Sequence, residues 1–430
     1  MRNDVADALL ERSSRYVDDG AAEDRAHTQP MDAGLADFGD GLALVASFSH
    51  VIALGTEAGL TLFDTSSGAM AGPAQASLRR WSSAPVDTIV YTHGHMDHVG
   101  GAPRFAEETS AMGAPAPRVI AHHAVADRFR RYEETDGFNA RINARQFGRI
   151  ALMQVVPDRW SIDWVWPTVS YSDRLDVDLG GEPAVLHHDR GETDDHTWVW
   201  LPERRTICGG DFVTWVFPNA GNPQKVQRYP AEWARALHAM AALEPELYLP
   251  AHGLPITGRE RIARVLADVA RVLESLVDQT LAMMNAGAPL DEILHTVVVP
   301  AELAGRPYLQ PTYDEPEFVV RNIWRLYGGW WDGDAANLKP APAADLAAEI
   351  ASLAGGSKRL IDRALALSDS GEHRLACHLA ELAVRAGDTP ELHDKRAEIY
   401  TRRRDSERSL MAKGVFRAAA EESTAKTEPS

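Results

Sequence analysis

Between Tyr91 and Gly101 the chain reads Tyr-Thr-His-Gly-His-Met-Asp-His-Val-Gly-Gly, which places His93, His95, Asp97 and His98 within six residues. The apolar run Pro85-Val86-Asp87-Thr88-Ile89-Val90 just before it reads as a buried strand. After it, Val99-Gly100-Gly101 lets the backbone turn tightly into a helix predicted from about Pro103 to Met112. A strand end therefore presents a His-x-His pair to one metal ion and an Asp-His pair to another. Imidazole and carboxylate donors suit Zn(II), with Mn(II) or Fe(II) as alternatives. A solvated His-rich loop is the plainer reading, and it leaves Asp97 and the strand-Gly-Gly setting as coincidences.

The His-x-His-x-Asp-His string resembles the signature of the metallo-β-lactamase-fold hydrolases. Three later segments resemble that family's remaining ligand motifs, in the right order. Gly191-Glu192-Thr193-Asp194-Asp195-His196 is similar to the third motif, with Glu192 where most members have His. Thr206-Ile207-Cys208-Gly209-Gly210-Asp211 looks like the strand that delivers a bridging carboxylate, Asp211. Leu247-Tyr248-Leu249-Pro250-Ala251-His252-Gly253 looks like the last ligand loop, with His252 as ligand. Glutamate in the third motif is what the alkyl sulfatase branch of the superfamily shows. The stretch from Tyr308 through Tyr313 and Val320 to Gly333 is similar to the start of that branch's dimerization domain. The resemblance covers roughly residues 38 to 420.

The fold so implied is α/β: a metallo-β-lactamase αββα sandwich followed by an all-α, tetratricopeptide-like dimerization domain of helical hairpins. The implied activity is that of a binuclear metal-dependent hydrolase of a sulfate ester, acting through a hydroxide made available by two divalent ions. His93, His95 and Glu192 would hold one ion and Asp97, His98 and His252 the other, with Asp211 between them. Asp97, Asp211 and His196 are the expected catalytic residues. His196 is a partner of the ligands, a proton donor to the leaving alcohol, or a packed histidine. Lys225, Arg228 and Asn219 are expected on the sulfate by their motif position, with Arg141 and Arg145 next. Each cation alone also reads as a solvated surface charge.

Two features depart from the sulfatase pattern. Asp211-Phe212 stands where the sulfatases carry Glu followed by Asn, and Phe217 to Arg228 replaces a stretch usually richer in His, Asn and Arg. The chain also ends soon after the helices, without the sterol-carrier-like domain of long alkyl sulfatases. Alternative functions are therefore hydrolysis of a lactone, thioester or phosphate ester on the same fold, or a non-haem iron oxygenase. A helical interaction module with a relic metal site is a third class, against which the intact ligand set argues.

At 430 residues two domains are expected. The 44 Lys and Arg against 62 Asp and Glu leave a net charge of −18, which argues against nucleic acid or an anionic membrane as partner. An anionic small-molecule substrate would then need a local cationic patch. Cys208 and Cys377 fall in different expected domains and form no disulfide framework. The N-terminus has no apolar signal region and no run approaches membrane-spanning length, so a cytoplasmic location is expected.

Residues 1–35 read as a polar arm, frayed or strapped over a neighbour, and 36–300 as the catalytic domain. Short apolar runs at Leu42–Val45, Val51–Leu54 and Leu60–Phe63, then Arg118–Ala121, read as strands, and alternation with helices indicates sheets covered by helices. Phe138 to Phe147 could be helical. Trp160, Trp164 and Trp166 are read as core or interface packing, with a pocket wall as alternative. Residues 301–420 read as the helical domain. Its expected helices at Lys358–Leu367, Arg374–Ala386, Glu391–Arg403 and Ser406–Ala420 are too few to bury themselves, which predicts a homodimer. Residues 421–430 read as a disordered tail.

Overall fold

The computed structural model describes residues 2–20, 28–148 and 163–427. Trp160 lies outside the described residues.

Two sheets face one another. The seven-stranded sheet runs in chain order: β1 (Leu35–Gly39), β2 (Leu42–Val45), β3 (Val51–Thr56), β4 (Gly59–Phe63), β5 (Val86–Val90), β6 (Arg118–His122) and β7 (Val169–Tyr171). Its first half is antiparallel, and the pairs from β4 to β7 are parallel. The second sheet contains β8 (Arg174–Asp178), β9 (Pro183–His188), β10 (Thr197–Leu201), β11 (Thr206–Cys208), β12 (Leu247–Leu249) and β13 (Ile256–Thr257), ordered β13-β12-β11-β10-β9-β8. There β11 and β12 are parallel neighbours.

The apolar runs are unbroken because both faces of the central strands are covered. In β2 and β3, Leu42, Leu44, Ile52 and Leu54 point between the sheets, where they meet Leu186, Val199, Leu201, Cys208 and Leu249. Their neighbours Val45, Val51 and Ala53 point outward onto Leu78, Phe105 and Phe129 of the helices Gly68–Trp81, Ala102–Ala111 and Ala124–Glu134. Trp164 stacks on Phe129 with ring centroids 4.1 Å apart, so its role is packing. The outer face of the second sheet is covered by the helices Pro230–Ala242 and Arg259–Asn285. The layers are helix, sheet, sheet, helix.

The arm expected at the N-terminus is a helix, Asp4–Asp19, started by the Asn3 side chain accepting the Ala6 N–H. Leu9, Tyr16 and Val17 recur at helical spacing and are buried in the second sheet's outer core, which is why it is not frayed. Leu303, Tyr308, Leu309, Val319, Val320 and Ile323, beyond the expected boundary at 300, join that same core.

The all-helical region follows with helices at Ala343–Ala354, Ser357–Asp369, His373–Ala386, Pro390–Ser406 and Leu410–Thr424. The tail expected from Glu421 is helical as far as Thr424 because the last helix simply continues. This region has a separate and alanine-rich core, built around Leu360, Ile361, Ala364, Ala376, Ala380 and Ile399. Among the described residues no helix is long and apolar enough to cross a membrane.

Candidate metal centre

Parallel strands bring their carboxyl ends to one edge, where loops can converge side chains on a ligand. Here the loops after β4, β5, β9, β11 and β12 do so, supplying Asp64, the histidine string, Glu192, Asp211 and His252. The ligand atoms of His93, His95 and Asp211 lie within 4.8 Å of one another, and so do those of Asp97, His98 and His252. Asp211 faces both groups. Its Oδ2 is 3.9 Å from His93 Nε2 and 3.5 Å from His98 Nε2, and its Oδ1 is 3.6 Å from His252 Nε2. Asp97 Oδ2 lies 3.3 Å from His252 Nε2 and 3.6 Å from His98 Nε2. Glu192 Oε1 is 3.6 Å from His95 Nδ1 and closes the first group from the side.

Asp64 sets the ring nitrogens of this site. Its carboxylate accepts from His98 Nδ1 at 2.7 Å and from the Thr92 hydroxyl at 2.7 Å and amide at 2.8 Å. With its proton given to Asp64, Thr92 Oγ1 is left to accept from His93 Nδ1 at 3.1 Å. Both rings are thereby braced at Nδ1 with Nε2 directed inward, the arrangement that carboxylate-braced metal histidines use. Asp64 sits at φ 58°, a left-handed conformation that three hydrogen bonds compensate. Asp64 is not among the residues singled out from the sequence.

His50 was missed as well. It accepts the Ser47 N–H on Nδ1 and donates from Nε2 to Gly253 O at 2.7 Å, and its amide donates to Ala251 O, so it clamps the His252 loop on both sides. Burial lowers its pKa to about 4, which keeps the ring neutral. Beneath the His93–His95 turn, Asp195 accepts the Gly94 N–H at 3.0 Å and Arg128 Nε at 2.8 Å.

His196 is buried, and its Nε2 accepts the Asp211 N–H at 3.1 Å while its ring stacks on Phe212. Burial lowers its pKa to about 3. Of its expected roles, that of a partner of the ligands fits this contact best, because Nε2 is engaged as the acceptor of the Asp211 amide. Gly210 makes this approach possible, since a Cβ there would stand 2.6 Å from His196 Nε2.

The expected substrate contacts separate into three kinds. Arg228 and Asn219 are buried and turned to Glu192, not to an open face. Arg228 Nη1 is 2.7 Å and Asn219 Nδ2 is 2.5 Å from Glu192 Oε1. Lys225 is half-buried with Nζ 3.2 Å from Asn143 Oδ1, near enough to Asp97 and Glu192 to feel both charges. Burial and the Arg228 cation lower its pKa to about 7. Arg141 and Arg145 are exposed on the helix Asp136–Phe147, where Arg145 bonds Gln224.

The donor set fits divalent cations. His98 Nε2 and Asp211 Oδ1 are buried and find no hydrogen-bond partner among the described residues. Burial, then neighbouring cationic groups, pushes His93 and His95 well below the usual histidine range, so both are neutral lone-pair donors. Burial acts against the charged forms of His98 and Asp211 too, yet their proximity favours charge on both, raising the histidine and lowering the aspartate. Cations at the centre would replace that proton charge.

An αββα sandwich with this constellation at its sheet edge is the metallo-β-lactamase architecture, and residues 44–252 match the family model described as Metallo-beta-lactamase superfamily. Residues 289–426 match the model described as Alkyl sulfatase dimerisation. The chain thus carries a metallo-β-lactamase domain followed by an alkyl sulfatase dimerisation domain, and the fold implies divalent metal ions.

Among curated relatives, a linear primary-alkylsulfatase from a Pseudomonas strain is 27% identical over 342 residues, covering 76% of this chain and 65% of its own length. An (R)-specific secondary-alkylsulfatase from Pseudomonas is 26% identical, covering 76% of this chain and 52% of its own. The chain thus spans less than two thirds of either relative. A solved stereoselective inverting sec-alkylsulfatase from Pseudomonas superposes with a TM-score of 0.79 at 21% identity, over 93% of this chain and 66% of that one.

Proposed function

We propose that the protein is a metal-dependent hydrolase of sulfate monoesters, with a binuclear centre. The observation that carries this reading is the ligand set itself: six residues of the centre and Glu192 converge at one sheet edge, in a chain that also carries an alkyl sulfatase dimerisation domain. The alkylsulfatase names of the relatives support the substrate class.

His93, His95 and Glu192 would hold one ion, Asp97, His98 and His252 the other, with Asp211 serving both; Zn(II) suits these donors best. When bound, two such ions would supply Lewis acidity to the ester and lower the pKa of a water. The remaining work falls to the chain. Asp64 holds the His98 ring, His50 holds the backbone of the His252 loop, and His196 holds the Asp211 backbone. Lys225 would meet the sulfate, offsetting a net charge that otherwise repels an anion. Water and the ester then give an alcohol and sulfate.

The working unit is a homodimer. Leu353 is 82% and Trp330 72% exposed, with Tyr327, Leu346 and Leu375 also exposed in the C-terminal region, and such apolar surface marks an interface. Sedimentation of the full chain at micromolar concentration should give a dimer, and a monomer would refute this part.

The function is tested by offering the purified protein an alkyl sulfate, a lactone, a thioester and a phosphodiester in parallel. Selective release of inorganic sulfate is expected. Turnover of one of the other esters with none of the sulfate would overturn the substrate class.

A further inference from the structure

Glu192 is reached by a route that starts far along the chain. Arg228 Nη1 donates not only to the Glu192 carboxylate but to the carbonyls of Glu192 at 3.2 Å and Asn219 at 2.8 Å. Arg228 is in turn held from the C-terminal region, where Asn322 Nδ2 donates to its carbonyl at 2.9 Å. Arg325 bonds both Asn322 Oδ1, at 3.0 Å, and Gln227 Oε1, at 2.9 Å, and Gln227 Nε2 bonds Asn322 Oδ1 at 3.0 Å.

At the other end of the same loop, the fully buried Asp314 carboxylate accepts the amides of Gly221 and Asn222 at 2.6 and 3.2 Å. The first turn of the helix Pro316–Gly328 presses on that point, since a Cβ at Gly221 would lie 2.4 Å from backbone atoms of Phe318 and Val319. The last helix joins in through Ser409 Oγ, which donates to Tyr313 O at 2.8 Å, and the Leu410 amide, which donates to Thr312 O.

We propose that the segment from Asp314 to Arg325, inside the region matched as a dimerisation domain, is a positioning element of the metal centre. It fixes the loop 217–228 so that Arg228 and Asn219 aim Glu192 at the His93–His95 side. None of its side chains needs to touch an ion or substrate. The inference rests on the binuclear reading only for the ion on the Glu192 side.

The experiment compares the full-length protein with Asn322→Ala, Arg325→Ala, Asp314→Ala and Asp314→Asn, titrated with Co(II) and followed by its visible absorption. Circular dichroism checks the fold of each. The wild type should bind two ions. Asn322→Ala and Asp314→Ala should weaken one of them by roughly tenfold to a hundredfold, the range seen when groups behind a ligand are removed. The absorption of that ion should change and that of the other should not. Asp314→Asn, whose amide oxygen can still accept the Gly221 and Asn222 N–H groups while the Glu315 N–H loses its acceptor, should recover part of the loss. Arg325→Ala, at the exposed end of the network, keeps the test open if the buried variants fail to fold, and should shift the same ion less. Two ions bound with wild-type affinity and spectra in the folded variants would overturn this inference alone. A wild type that takes up one ion would overturn the binuclear reading as well.

Discussion

The two halves of the metal centre are braced differently. On the Asp97, His98 and His252 side every support comes from the sandwich: Asp64 after β4, His50 before β3, and the Asp211 turn after β11. On the His93, His95 and Glu192 side the glutamate depends on Arg228 and Asn219, from a loop that is itself held by residues beyond 313. One half is completed within the sandwich itself. The other is completed by the added region, so its geometry can be altered without disturbing the sheets.

The largest effect should follow from breaking the first half. Asp97→Ala is expected to bring turnover to background and remove one ion, with the circular dichroism spectrum unchanged, since Asp97 is a quarter exposed in the short helix Met96–Val99 and outside the apolar clusters. Near-normal rate constants would mean that the assignment of Asp97 is wrong. Breaking the second half at Arg228→Ala strands Glu192 in a buried site. Denaturant unfolding should show a loss of about 3–5 kcal/mol, the usual range for splitting a buried ion pair, while Arg228→Lys should lose less.

A sharper comparison comes from Asp64→Ala, which leaves all seven ligand residues in place. Metal affinity should fall by roughly tenfold to a hundredfold, with the loss centred on His98. Substituting Lys225 by Ala is the mildest change. KM for an alkyl sulfate should rise by about tenfold, as for a lost hydrogen bond to a charged group, and KM for a neutral ester should stay put. Equal losses for both would indicate structural damage.

Proton uptake separates the halves in another way. In the metal-free protein burial disfavours the His98 cation, but Asp211, Asp97 and Asp64 outweigh it and raise its pKa well above 6.5. A raised histidine stabilises the fold fully below its unfolded value and loses that contribution as pH rises through the folded one. An ion needs the neutral ring and must displace that proton. His93 and His95, already neutral, release none, and on that side only Glu192, pushed up to about 7 by burial, gives up part of a proton. Calorimetry near pH 7 in buffers of different ionisation enthalpy should therefore find proton release, and affinity should climb with pH.

Much of the site was legible because its ligands sit in short strings at strand ends, where residue type and spacing carry the chemistry. His93 to His98, Glu192, Asp211 and His252 were all read in order, as were the strands whose two buried faces give continuous apolar runs. Asp64 was not, because an Asp in an Asp-Thr-Ser-Ser-Gly stretch looks like turn chemistry, and only the folded sheet sets it behind His98. Arg228 and Asn219 were read toward substrate because the string cannot say which group a donor faces; Glu192 lies 36 residues from Arg228 and 27 from Asn219. The N-terminal helix was legible in hindsight, from the Asn3 cap and the spacing of Leu9, Tyr16 and Val17.

The central claim is that both halves hold an ion at once. Metal analysis of the protein purified without chelator tests it most directly. The account predicts two equivalents per chain, restored by Zn(II) or Mn(II) after stripping. A firm value of one, unchanged when either metal is added, would contradict it.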